Sequence, residues 1–145
     1  MPMRPLSAVL DTNVVISGLL WHGAPRDLLD RGTTGDALML ITSPTLILEL
    51  LNVIALPRFS KRVAATGKSV AELVEGYRDA TMLIQPRTIP RVVTDDLDDD
   101  HVIAAAVASR AACVVTGDQA HLLPIGIHKG IAIVSPRQCL AMLDR

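Results

Sequence analysis

SAVLDTNVVISGLL, residues 7–20, is an apolar run interrupted by Asp11-Thr12-Asn13. Ser7 to Leu10 is too short for a helix and reads as a buried strand, while Val14 to Leu20 reads as a helix that begins after the polar triplet. The same alternation continues down the chain. Gly23 and Pro25 break the pattern before a second helix, Pro25 to Arg31, and Ala37 to Ile41 is another apolar strand. Ser43-Pro44 places an N-cap and a first-turn proline at the head of a helix that runs to about Ala55. Ser69-Val70-Ala71-Glu72 matches a capping box and opens a helix towards Thr81, with a strand predicted at Met82 to Gln85. Pro86 and Pro90 then impose a loop. Asp98-Asp99-Asp100 precede an alanine-rich helix, His101 to Ala111, and Cys113 to Thr116 is a strand that ends at Gly117-Asp118. Ile131 to Val134 is the last strand, and Ser135-Pro136-Arg137-Gln138 repeats the cap, proline and glutamine pattern at the head of a helix to about Leu143. Strand and helix alternating throughout predict an α/β fold: one three-layer domain over residues 1–145, with a mostly parallel sheet of about five strands flanked by helices.

The composition agrees. At 145 residues the chain is near the commonest size of a single domain and can bury a core without disulfides. Half of it is hydrophobic and only 2% aromatic, so Leu, Ile, Val and Ala must fill that core, as they do in helix-covered parallel sheets. A net charge of -1 excludes a protein that coats nucleic acid through a general excess of Lys and Arg. It leaves room for a nuclease whose acids gather metal and whose basic groups form only a rim. Cys113 and Cys139 have neither metal-ligand spacing nor a secreted framework pattern and read as buried, reduced thiols. The first residues, MPMRPLSAVLD, do not resemble a signal peptide, and a cytoplasmic location is expected. Ala37 to Leu56 is the one membrane-like stretch. Thr42-Ser43-Pro44-Thr45, Glu49 and Asn52 interrupt it, and a strand, a turn and a buried helix account for it better than a membrane span.

Four acids stand out by position. Asp11 and Asp118 directly follow buried strands, where open α/β sheets bind ligands. Asp100 falls in the first turn of a helix, and Glu49 interrupts the apolar segment Leu46 to Leu51. Each has an ordinary alternative: Asp at a helix start caps free N–H groups, Asp118 after Gly117 suits a turn, and Glu49 could face water. As a cluster they would repel one another and raise each other's pKa unless a cation neutralised them. Oxygen donors without a nearby Cys or paired His favour Mg²⁺ or Mn²⁺ over zinc. His101, although adjacent to Asp100, faces elsewhere on its helix.

VLDTNVVIS, SPTLILEL, DLDDDHVIAAAVA and VVTGDQAHL, in that order and over nearly the whole chain, resemble the four acidic motifs of PIN-domain proteins. The resemblance implies that Asp11, Glu49, Asp100 and Asp118 are the metal-coordinating catalytic acids, with Asp99 a supporting or alternative ligand and Asn13 and Thr116 hydrogen-bonding the acids. The closing IVSPRQCL resembles the usual end of VapC-like toxin components of toxin–antitoxin systems, although Leu97 stands where that group more often has proline. The activity implied by this resemblance is that of a metal-dependent endoribonuclease, using Mg²⁺ or Mn²⁺ to hydrolyse RNA phosphodiester bonds and leaving 5′-phosphate and 3′-hydroxyl ends. Single-stranded or looped RNA would be its substrate and an antitoxin protein its partner.

Arg58, Lys61, Arg62 and Lys68 form a basic cluster after the Glu49 helix and are expected to follow the RNA backbone, against the alternative of a solvated helical face. Trp21, Phe59 and Tyr77 are the only rings available for stacking. The apolar helices Val14 to Leu20 and Val70 to Leu83 could present a homodimer or partner face, although burial in the core is the commoner use of such faces. A phosphoacceptor domain would need an acidic pair after the first strand, where this chain has Asp11 alone. The stronger rival is a catalytically weak PIN-like module that binds RNA or protein without cutting, which the presence of all four acids disfavours.

Overall fold

A computed structural model describes residues 5–34, 37–86, 97–120 and 122–144; of residues 97–100 it describes the helical backbone and not the side chains. The chain runs β1 (Leu6–Leu10), α1 (Thr12–Leu20), α2 (Ala24–Thr34), β2 (Leu38–Thr42), α3 (Pro44–Ile54), a 3-10 turn (Pro57–Phe59), α4 (Ser60–Ala65), α5 (Val70–Asp79), β3 (Met82–Leu83), α6 (Leu97–Ser109), β4 (Cys113–Val115), a second 3-10 turn (Leu123–Ile125), β5 (Ile127–His128), β6 (Ile131–Val134) and α7 (Pro136–Leu143). The six strands form one sheet in the order β3-β2-β1-β4-β6-β5, parallel throughout except for β5. The α/β architecture expected from the sequence is the one observed.

Successive strand residues face opposite sides of the sheet, and here the two sides feed two separate cores. Ala8, Leu10, Leu38, Leu40, Cys113 and Val115 pack into one, with α1, α2, α5 and α7. Val9, Ile41, Val114, Ile131 and Ile133 pack into the other, beneath Val102, Ile103, Ala105 and Ala106 of α6. The strands are therefore apolar on both faces, and this double burial explains their unbroken hydrophobic runs. Helix α3 belongs to both sides: Leu46 joins the α6 core, and Leu50 and Ile54 join the other. Close approach of α2 to α1 requires Gly18, because a Cβ there would lie 2.6 Å from Leu29 Cδ1 and 2.9 Å from the Pro25 carbonyl oxygen.

Several details differ from the sequence expectation. The sheet has six strands, because Ile127–His128 adds an antiparallel edge through a tight turn at Lys129 (φ 50°) and Gly130 (φ 80°). Two consecutive residues with positive φ match the turn that suits right-twisted hairpins, but a strand of two residues carries no readable periodicity. β3 is likewise confined to Met82–Leu83, short of Gln85. The helix faces considered for a partner are largely used inside: Val14, Val15, Ile16, Leu20, Leu73, Val74 and Tyr77 are all buried. No helix among the described residues is long and apolar enough to cross a membrane, and Ala37 to Leu56 resolves into β2, the Ser43 cap and α3. Cys113 and Cys139 are free and fully buried where α7 meets β4; their mutual hydrogen bond and burial push the Cys113 thiol up, which keeps it protonated and unreactive.

Candidate active site

The strand order places the site. From β1 the chain moves outward to β2 and β3, then crosses back through α6 to β4 on the other side of β1. The order thus reverses between β1 and β4, which leaves a crevice beyond their carboxyl ends. Leu10 and Val115 are register partners there, so Asp11 and Thr116, the next residue of each strand, emerge side by side.

Asp11 occupies the N-cap of α1 in extended conformation, and its carbonyl oxygen accepts from Val14 N–H at 3.0 Å. Its backbone N–H continues the sheet by donating to the Val115 carbonyl at 2.9 Å. Unlike Ser43, Ser69 and Ser135, which cap their helices through the side chain, Asp11 makes no side-chain cap. Its carboxylate is instead turned across the crevice, where Oδ2 accepts from Thr116 Oγ1 at 2.9 Å. Asp11 is only 6% exposed and Thr116 fully buried. The Thr116 hydroxyl also accepts from Asp118 N–H at 3.0 Å. One buried hydroxyl therefore orients the carboxylate that follows β1 and holds the backbone of the acid that follows β4. Asp118 is half-buried, and its Oδ1 accepts from Ala120 N–H at 3.0 Å, which closes the turn.

Glu49 arrives on α3. Ser43, buried at the end of β2, accepts from Leu46 N–H at 3.3 Å and starts the helix at Pro44. Leu46, Leu50 and Ile54 point inward at four-residue spacing, and Glu49 is half-buried beside them with Oε2 withdrawn from solvent. α3 packs on both α1 and α6, the helices whose first turns follow or contain the other acids. Asp98, Asp99 and Asp100 lie in the first turn of α6, and their side chains fall outside the described residues. Among the described residues no three Asp, Glu, His or Cys side chains are grouped closely enough to hold a metal by themselves. Asn13 is exposed on the first turn of α1.

The sequence profile of the PIN domain matches residues 7–120. The chain belongs to the PIN domain family. That span runs from β1 to the Asp118 turn and includes all four acids, while β6, hydrogen-bonded to β4 beyond it, completes the same PIN-domain sheet. No curated protein matches the chain. PIN domains are generally nucleases, and PIN nucleases generally use divalent metals. The chemistry of the side chains nearby suits such an ion: Asp11 is a buried carboxylate not used for capping, Asp118 and Glu49 are half-buried carboxylates, and the thiols are sequestered elsewhere.

The remaining expected residues sit elsewhere. Arg58 and Arg62 lie over the rings of Phe59 and Trp21, Lys61 is exposed on α4, and Lys68 lies just before α5. With Trp21 at the C-cap of α1 and Asp11 at its N-cap, this group gathers at the opposite end of that helix from Asp11. Sequence reasoning missed Arg26 and His22, which line a cleft with Arg62 and Lys68. Only the packing of α2 against α1 brings them there.

Proposed function

We propose that the chain, acting as one domain over residues 1–145, is a metal-dependent endoribonuclease of the VapC-like toxin type. The observation that carries this reading is the Thr116 hydroxyl, which joins Asp11 and Asp118 at the point where the strand order reverses. Asp11, Glu49, Asp100 and Asp118 would hold Mg²⁺ or Mn²⁺, with Asp99 supporting them or taking a ligand's place, and Asn13 and Thr116 hydrogen-bonding the acids. A divalent ion bound there supplies Lewis acidity to the scissile phosphate and its attacking water. The chain's own residues supply position. Thr116 fixes the Asp11 carboxylate, the Asp118 turn is closed by Ala120 N–H, and burial of Asp11 keeps bulk water from competing for its oxygens.

The reading is tested by incubating purified protein with single-stranded and structured RNAs in Mg²⁺, Mn²⁺ or EDTA. Cleavage in both metals but not in EDTA, with 5′-phosphate ends, is the expected result. Intact RNA in every lane despite bound Mn²⁺ would overturn the reading in favour of a binding module or a nuclease that needs a partner. The toxin role and an antitoxin partner rest on the closing IVSPRQCL, and growth arrest on expression, relieved by a co-expressed partner, is their readout. A homodimer is supported by the cleft of about 300 Å³ between α3 and β3, with Leu48 and Leu83 on its walls 59% and 42% exposed. Sedimentation would show it.

Thr116 offers a sharper measurement. Thr116→Val keeps the shape but removes the hydroxyl that accepts from Asp118 N–H and donates to Asp11 Oδ2. It should cost about 1–3 kcal/mol in urea unfolding, because both hydrogen bonds are lost. Half-maximal cleavage should need roughly 10–100-fold more metal, the usual cost of losing a group that orients a ligand. Thr116→Ser retains the hydroxyl and should recover most of both; equal losses from the two variants would mean that the methyl group, and not the hydrogen bonds, matters.

A further inference from the structure

We infer that the cleft at the C-terminal end of α1 is a second RNA-binding site, which grips a single strand through its phosphates away from the cleaved bond. It measures about 360 Å³ and is walled by Leu19 and Leu20 of α1, His22, Arg26 of α2, Arg62 of α4, and Lys68 with Leu73 at the start of α5. Arg26, Arg62 and Lys68 reach it from three separate segments, and no carboxylate among the described residues lines it. In a chain with 14 Lys and Arg against 15 Asp and Glu, such convergence is not the solvated face of one helix. None of the three forms an ion pair with another described residue. Asp30 and Glu72 line the adjoining cleft, where Glu72 is engaged in the capping box with Ser69 and also feels the charge of Lys68.

What flanks the cleft selects its occupant. The Arg62 guanidinium lies 4.8 Å from the centroid of Trp21, which meets Phe59 edge-on at 6.3 Å, and Arg58 lies 4.9 Å over Phe59. Arginines stacked on rings hold their donors in place before a ligand arrives, and the guanidinium plane is itself a surface on which a base can stack. Trp21 remains 36% exposed. An acidic peptide would match the charge and leave the flat surfaces unused, whereas single-stranded RNA offers both phosphates and bases. At 1.5 Å per residue, α1 separates this cleft from Asp11 by about 15 Å. The strand held here is therefore not the segment being cut. That the ligand is RNA rests on the nuclease reading above; the convergence of cations does not.

Binding measured in EDTA separates the two ideas. Fluorescence anisotropy of a labelled, unstructured RNA oligonucleotide is followed over a KCl series for the full chain and for the double variant Arg26→Ala/Lys68→Ala, with thermal unfolding as the folding control. The double variant should bind about tenfold more weakly at moderate salt, and its slope of log K against log salt should fall by about 0.7 for each contact removed. Arg26→Lys, which keeps the charge, should keep the slope of the unaltered chain; a slope lowered as far as in the double variant would show that the shape of the cleft and not its charge matters, and would overturn the proposal. Unchanged affinity and slope in the double variant would overturn the proposal. Polyglutamate competing as well as RNA would also overturn it, in favour of an acidic protein partner, and so would adenosine monophosphate binding as tightly as the oligonucleotide. Cleft-dependent RNA binding without cleavage in any metal would sink the nuclease reading alone, whereas metal-dependent cleavage with cleft-independent binding would sink the second site alone.

Discussion

Asp11→Asn is expected to lower RNA cleavage by roughly 10³-fold, the scale of removing a group on which the charged transition state depends. The same substitution should leave the melting temperature unchanged or slightly raised. The two halves of that result have one cause. Asparagine has the shape of aspartate, and its amide oxygen can still accept from Thr116 Oγ1, so the hydrogen bond across the β1–β4 crevice survives. What is lost is a negative charge held at 6% exposure. Because shape and that hydrogen bond are kept, folding should be little affected, while a metal held there would lose an anionic ligand. Initial rates in Mn²⁺ and a thermal melt of the same preparation in EDTA provide the check. Cleavage within tenfold of the unaltered protein would remove Asp11 from the chemistry, or reveal a contaminating nuclease if it persisted in EDTA. A melting temperature lowered by many degrees would show instead that the carboxylate is structural.

How much of this was legible in the sequence depends on the range of the interaction. Caps and strands are local: Ser43-Pro44, Ser69 with Glu72 and Ser135 with Gln138 start their helices where the cap, proline and capping-box patterns put them. The apolar runs Ser7 to Leu10 and Ala37 to Ile41 read as strands, and the structure has them at Leu6–Leu10 and Leu38–Thr42, buried on both faces and paired in parallel. The role of Thr116 was readable only in outline. Its position after β4 is local, but its partner Asp11 lies 105 residues away, and no spacing rule announces that hydrogen bond. The basic cleft was half visible, since Arg58 to Lys68 stand together in sequence. Arg26 joins them only because Gly18 lets α2 close on α1. Small edge elements such as β5 escape notice altogether, because two residues show no period and Lys129-Gly130 is an unusual pair for its turn.

Ile103→Ala should produce a large loss of stability, and its comparison with Leu28→Ala separates packing from function. Both side chains are essentially inaccessible, at 1% and 0% exposure, and they lie on opposite sides of the sheet: Ile103 on the sheet-facing side of α6, Leu28 in the core of α1, α2 and α5. Each truncation leaves a cavity that close-packed neighbours fill incompletely, at about 3 kcal/mol and roughly 10 °C of melting temperature in a domain of this size. The functional consequences should diverge. Ile103 anchors the helix whose first turn carries Asp98, Asp99 and Asp100, so a cavity beneath it loosens the seat of those acids. Mn²⁺ affinity by calorimetry should then weaken about tenfold in Ile103→Ala, the scale seen when support for a metal ligand is lost, and stay unchanged in Leu28→Ala. Using metal affinity as the readout keeps the result independent of whether RNA is cut. Equal weakening in both variants would mean that global stability, and not the seating of α6, sets the affinity; no weakening in either would place the metal's principal ligands outside the α6 turn.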